Sequence, residues 1–361
     1  MREIEQILQL WQQARKSGQP AVLATVVRTQ GSSYRLPGAR LLLLKDGRRA
    51  GSISGGCLEG DLLAKGWWLT EKGPIVRRYD TNADGEIGSG GFGLGCNGII
   101  HVLVERITPD NPGILEALAE VRATRKPLTV CHRIAPETLV GTDIVRQSDG
   151  TTESELPESQ VFVETLTPPV RLLIFGAGED AIPLAEMASY LGWRTHVYDG
   201  RAQYIRPNRF ASAEEVAIRP PGSAEPLPID AWTVAVLMTH SYSQDLDILR
   251  QLAASPTPRY VGILGPRKRT VQLLADAKLN FVQLGEVLHS PMGLDIGADG
   301  PEQVAVAVMA EIQAVLNGRK GGLLRDRRGS IHAPDSNIEE DTETKEGAAS
   351  GQFTVGSIAC A

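Results

Sequence analysis

From Val170 onward the chain alternates short apolar runs with helical stretches: RLLIFGAG, a helix over 180–191, RTHVYDGR, AWTVAVLMTH, a helix near 243–254, RYVGILGPRKR and a further helix. Strands alternating with helices in this way form βαβ units, so this texture predicts a doubly wound parallel sheet. A long helix, PEQVAVAVMAEIQAVLNG, closes the region, with Pro301 in its first turn and Gly318 at its end.

The preceding residues lack that alternation and predict an α+β domain. Ile4, Ile7, Leu8 and Trp11 share one face of a helix over 4–14, which Gly18 and Pro20 end. Strands are expected at 21–29 and 39–47, the second turning at Asp46-Gly47 as a hairpin. A strand at 99–107 and a helix near 112–124 follow. A chain of 361 residues exceeds what one core comfortably supports. The expected organisation is a first domain over 1–167, a Rossmann-like domain over 168–328 and an acidic, disordered tail over 329–361.

Charge and composition exclude several classes. The formal net charge is -6, and the tail sets six carboxylates against Lys345, so the body is nearly neutral and has no basic stripe to track a phosphate backbone. Nucleic acid is not an expected partner. The amino terminus, MREIEQILQLWQQARK, is charged and helical, and no apolar run approaches the roughly 20 residues of a membrane span. A cytoplasmic location follows from this reading. Cys57, Cys96, Cys131 and Cys360 are widely spaced with no C-x-x-C, which indicates neither a disulfide framework nor a zinc knuckle. Cys131 reads as structural.

In the second domain, Gly176-Ala177-Gly178-Glu179-Asp180-Ala181 is the G-x-G-x-x-A form of the dinucleotide fingerprint, placed between a strand and a helix. Asp199 ends the next strand, where a carboxylate accepts a ribose or pterin hydroxyl. Gly176, Asp199, His240 and Gly265 each follow a predicted strand, so a parallel sheet brings them to one rim, the usual ligand crevice. Arg201 and the run Arg267-Lys268-Arg269 supply positive charge for a phosphate. Glu179 and Asp180 oppose an anion at the same helix end. The glycine turn also suits mere helix-to-sheet packing, and His240 suits either proton transfer or helix capping.

The first domain carries two glycine-rich cysteine loops, SISGGCLEGDL (52–62) and GSGGFGLGCNG (88–98). Cys57 lies near a helix start, a position that lowers a thiol pKa. Gly55 and Gly56 let successive N–H groups form a concave anion site beside that thiol, with Ser54 next to them. If the Cys96 loop converges on it, both thiols face one pocket. Small buried cysteines are the alternative reading of both.

GSSYRLPGARLLLLKDGRRAGSISGGCLEGDL followed by GLGCNG resembles the amino-terminal region of the XdhC/CoxI family. LLIFGAG, VYDGR, VLMTHSYSQDLDIL, YVGILGPRKR and SPMGLDIGADGPEQVAVAVMAEI resemble its carboxy-terminal Rossmann domain, in order, so the likeness covers roughly residues 5–320. Many members carry His, Pro and Gly where this chain has Glu179, Gly200 and Asn97. The resemblance implies an accessory protein that binds molybdenum cofactor, supports its sulfuration with a cysteine desulfurase and passes it to a xanthine dehydrogenase-like molybdoenzyme. It also implies a homodimer. By position, it matches the family's loop cysteines to Cys57 and Cys96, its acidic residue after the second Rossmann strand to Asp199 and its Thr-His pair to Thr239-His240; with the residues read above, the expected site comprises Cys57 and Cys96 as reactive thiols, Cys57 as a molybdenum contact, and Ser54, Gly55, Gly56, Gly176, Gly178, Asp199, Arg201, His240 and Gly265 as ligand-binding residues.

Two other readings stay open. A nicotinamide-dependent oxidoreductase would bind NAD(P) at the fingerprint, with His240 as general acid. An adaptor would dock the client enzyme without touching cofactor.

Overall fold

The computed structural model describes residues 2–31, 33–81, 98–145, 157, 160–255, 257–279 and 284–327, with Cys57 described by its backbone alone. The expected Cys96 loop, most of the polar stretch 146–159 and the acidic tail lie outside the described residues. Two compact units divide between Pro168 and Pro169.

In the first unit, helix α1 (Arg2–Lys16) precedes strands β1 (Ala21–Gly31), β2 (Arg40–Leu44) and β3 (Arg49–Gly51), then helix α2 (Cys57–Leu69) and strands β4 (Ile75–Asp80) and β5 (Gly98–Ile107). These strands form an antiparallel sheet in the order β3-β2-β1-β5-β4. β1 is buried from Ala21 to Val27 because each face has its own cover. Ala21 and Leu23 pack with Ile7, Trp11 and residues of helix α3 (Ile114–Thr124), while Val22, Ala24 and Val26 pack with Leu58 and Leu62 of α2. Each large apolar side chain so buried contributes about 1.5–3 kcal/mol.

A second antiparallel sheet, β7-β6-β8, comprises β6 (Leu128–Arg133), β7 (Gly141–Val145) and β8 (Val161–Leu166). A buried polar chain links it to the first sheet. Arg40 of β2 pairs with Glu164 of β8; His132 of β6 lies 2.8 Å from Glu164 and 2.9 Å from Thr142, which lies 2.7 Å from Glu105 of β5. Cys131 is fully buried in β6 and disulfide-bonded, a link that the spacing of the four cysteines did not suggest.

The second unit is built on six parallel strands: β9 (Arg171–Phe175), β10 (Arg194–Asp199), β11 (Glu215–Ile218), β12 (Thr233–Leu237), β13 (Tyr260–Ile263) and β14 (Leu288–His289). Their order is β11-β10-β9-β12-β13-β14. The chain runs outward from β9 through β11, then returns to the other side of β9 as β12, so the strand order reverses between β9 and β12. Helices α4 (Ala181–Tyr190) and α7 (Pro301–Leu316) cover Leu172 and Ile174 on one face. Helices α5 (Tyr242–Ala254) and α6 (Arg267–Ala277) cover Leu173 and Phe175 on the other. This is the expected doubly wound Rossmann-like arrangement, and the first unit is the expected α+β domain. β4, β7, β11 and β14 were not expected; all four are edge strands, and none shows a continuous apolar run. No helix among the described residues is long and apolar enough to cross a membrane.

Candidate functional site

Parallel strands end on one edge of their sheet, and the turns after β9, β10, β12 and β13 meet there. Gly176 is at φ +116°, and an added Cβ would lie 2.3 Å from the Met238 carbonyl oxygen and 2.8 Å from the Thr239 nitrogen. Only glycine lets the turn after β9 approach the turn after β12 so closely. Gly178 lies against the ring of His240, 3.9 Å from where its Cβ would be.

Asp199, expected as a hydroxyl acceptor, is already engaged. Its fully buried carboxylate accepts from the Ala177 N–H (2.8 Å) and the Arg201 N–H (2.9 Å), and from Arg201 Nε (3.0 Å) and Nη2 (2.8 Å). Burial alone would raise its pKa, but the Arg201 guanidinium and the two backbone amides outweigh burial and hold the carboxyl below its ordinary range. Arg201 stacks on Tyr204, its Cζ 4.1 Å from the ring centre. The ribose-acceptor role on which the oxidoreductase reading rested thus meets a carboxylate whose lone pairs are filled.

Glu179 and Asp180 bring less negative charge than the sequence suggests. Arg209 binds the Ala177 carbonyl at 2.8 Å and Glu179 at 2.6 Å, and His240 Nε2 lies 3.5 Å from Asp180. His240 takes φ +56°, an uncommon conformation for a residue with a side chain, and its ring stays more than half exposed. It does not cap α5: Ser241 does, accepting from the Gln244 N–H. Behind it, buried Thr239 bonds Asp245 at 2.6 Å, and Asp245 pairs with Arg269 at 2.6 Å. Arg269 in turn lies against Gly265, so one chain of contacts joins the turns after β12 and β13.

In the first unit, Gly56 at φ +120° leads into α2, whose first residue is Cys57. The turn before it is organised by a residue that sequence reasoning missed, Glu59. This buried carboxylate accepts from Ser52 Oγ (2.8 Å), the Ile53 N–H (3.0 Å), the Ser54 N–H (2.8 Å), Ser54 Oγ and the Gly56 N–H (3.1 Å). Burial opposes its charge, but the Ser54 hydroxyl and the other donors outweigh burial and hold its pKa down to about 2. Of the amides expected to face an anion, that of Gly56 is instead taken by the chain's own carboxylate, together with that of Ser54. The S/T-x-x-E spacing of Gly56 to Glu59 was obscured because glycine stands where a capping hydroxyl usually does. Among the described residues, no group of three or more His, Cys, Asp or Glu side chains could hold a metal ion.

Residues 172–312 match the XdhC Rossmann domain and residues 14–80 match the XdhC and CoxI family. A protein of Bacillus subtilis described as a probable xanthine dehydrogenase subunit is 35% identical over 81% of this chain and 92% of its own length. The chain belongs to the XdhC and CoxI family. Another family relative, the "Molybdenum cofactor insertion chaperone PaoD" of Escherichia coli, is 27% identical over 86% of this chain and 87% of its own. A crystal structure described as a xanthine dehydrogenase from Bacillus halodurans has a TM-score of 0.71 at 29% identity, covering 92% of this chain and 99% of that one. In XdhC terms, the turns after β9, β10, β12 and β13 belong to the Rossmann domain, and the Glu59-centred turn belongs to the XdhC and CoxI region.

Proposed function

We propose that this protein is a molybdenum cofactor chaperone that supports sulfuration of its cargo and delivers it to a xanthine dehydrogenase-like molybdoenzyme. The observation that carries this reading is similarity over more than four-fifths of the chain both to a cofactor insertion chaperone and to a probable xanthine dehydrogenase subunit. A cysteine desulfurase is the sulfur source in this scheme, and the working form is a cytoplasmic homodimer.

A molybdenum centre with dithiolene sulfur is soft and favours thiolate neighbours. Cys57, at the first position of α2, is the proposed molybdenum contact or sulfur relay, with Cys96 as its second thiol. Considered by itself, the second unit offers a phosphate group the Gly176–Gly178 turn, with Arg201, His240 and Gly265 around it. Asp199 supports that turn from behind.

The test is Cys57→Ala, purified from cells that make molybdopterin, with molybdenum and oxidised pterin measured per protomer. Loss of both, or loss of client sulfuration, is expected. Retention and sulfuration equal to wild type would remove the role of Cys57, and wild-type protein free of both metal and pterin would remove the function.

A further inference from the structure

Resting on the ligand-binding reading above, we infer that Arg201, not Asp199, is the residue at the end of β10 that meets the ligand, and that it takes an anionic oxygen group such as a phosphate. Asp199 is a positioning residue for it.

A carboxylate has about four acceptor positions. Those of Asp199 are taken by two backbone N–H groups and two guanidinium N–H groups, with the side chain fully buried. A ribose diol needs an acceptor and could bind there only by displacing one of these donors. Arg201 is the complement. One edge of its guanidinium is committed to Asp199 and one face to Tyr204, yet the side chain remains 35% exposed. Among the described residues Nη1 has no hydrogen-bond partner. Its plane is thus fixed, and its remaining N–H groups are suited to paired oxygens. The Ala177 amide that Asp199 holds lies inside the glycine turn, so the same carboxylate sets both the turn and the cation.

The two roles predict opposite results for Arg201→Gln. If Asp199 read the ligand, removing the guanidinium would uncover its carboxylate and tighten NADH binding. If Arg201 reads it, wild type binds NADPH at least roughly tenfold more tightly than NADH, and Arg201→Gln removes that preference. Fluorescence titration of both nucleotides decides between them, and Arg201→Lys, which keeps the charge without the two-point clamp, falls between wild type and Gln. Asp199→Asn, which loosens both the cation and the turn, lowers NADPH affinity by a larger factor than NADH affinity. Tighter NADH binding in Arg201→Gln, or unchanged NADPH binding, overturns the inference. Pterin content forms a second arm, in which Arg201→Gln falls roughly tenfold below wild type from the same cells and equal content counts as refutation. Arg201-dependent NADPH binding without any pterin would sink the chaperone function and leave this inference standing; wild-type protein that takes up neither overturns both.

Discussion

The carboxylate of Asp199 reaches back 2.8 Å to the amide of Ala177, so the end of β10 holds the glycine turn that follows β9. Replacing it with Asn keeps the shape but removes the charge and turns one acceptor into a donor facing N–H groups. A loss of about 1–3 kcal/mol in unfolding free energy is expected in urea titrations at pH 7. The folded pKa of Asp199 is depressed, so its contribution is present above the unfolded value near 3.9 and fades as pH falls through the lower folded value. The difference between wild type and Asp199→Asn should therefore shrink only under strongly acid conditions.

Gly176→Ala combines a positive φ with a backbone collision at 2.3 Å, which no rotamer relieves. A cost of about 3 kcal/mol or more is expected, read as a lowered thermal midpoint of the second unit. Gly178→Ala, whose Cβ meets only the His240 ring at 3.9 Å, should fold with near wild-type stability.

Glu59→Ala leaves the N–H groups of Ile53, Ser54 and Gly56 without their acceptor. Hydrogen exchange of the peptide covering 52–58 should accelerate by at least roughly tenfold, in line with one or more lost buried hydrogen bonds. Formate should restore protection by entering the vacated position, while formamide, which lacks the charge, should not. Equal responses to the two would show that the turn is not an anion site.

The polar chain in the first unit predicts a two-sided pH dependence. Thr142 donates its hydroxyl hydrogen to Glu105, and His132 meets Thr142 through Nδ1 and Glu164 through Nε2. Burial raises the pKa of the Glu105 carboxyl; Thr142 and Arg40 oppose the rise and Asp143 adds to it. Burial, helped by the charge of Arg40, pushes His132 down to about 3. Sign follows from each shift: stability from neutral His132 is lost as pH falls from near 6.5 towards 3, and the stability linked to the raised pKa of Glu105 is lost as pH rises through its folded value. Glu105→Gln, which keeps an oxygen to accept from Thr142, should remove the loss on the side of rising pH while His132→Gln removes the loss on the side of falling pH, both measured by urea midpoints between pH 4 and pH 9 (roughly two and a half units either side of the His value).

Local pattern determined much of this protein. The apolar run of β1, the alternation of β9, β10, β12 and β13 with helices, and the glycine after β9 were readable because each expresses a backbone requirement in its own residues. The family likewise was legible in motif order. Only the tertiary structure decided which polar groups are free. Asp199 looks like a ligand acceptor until Arg201, two residues away, and Ala177, twenty-two positions earlier, are seen to saturate it. Glu59 looks like an ordinary helical glutamate until five donors converge on it. Hydrogen-bond saturation depends on three-dimensional proximity and direction, quantities that residue type and spacing do not encode.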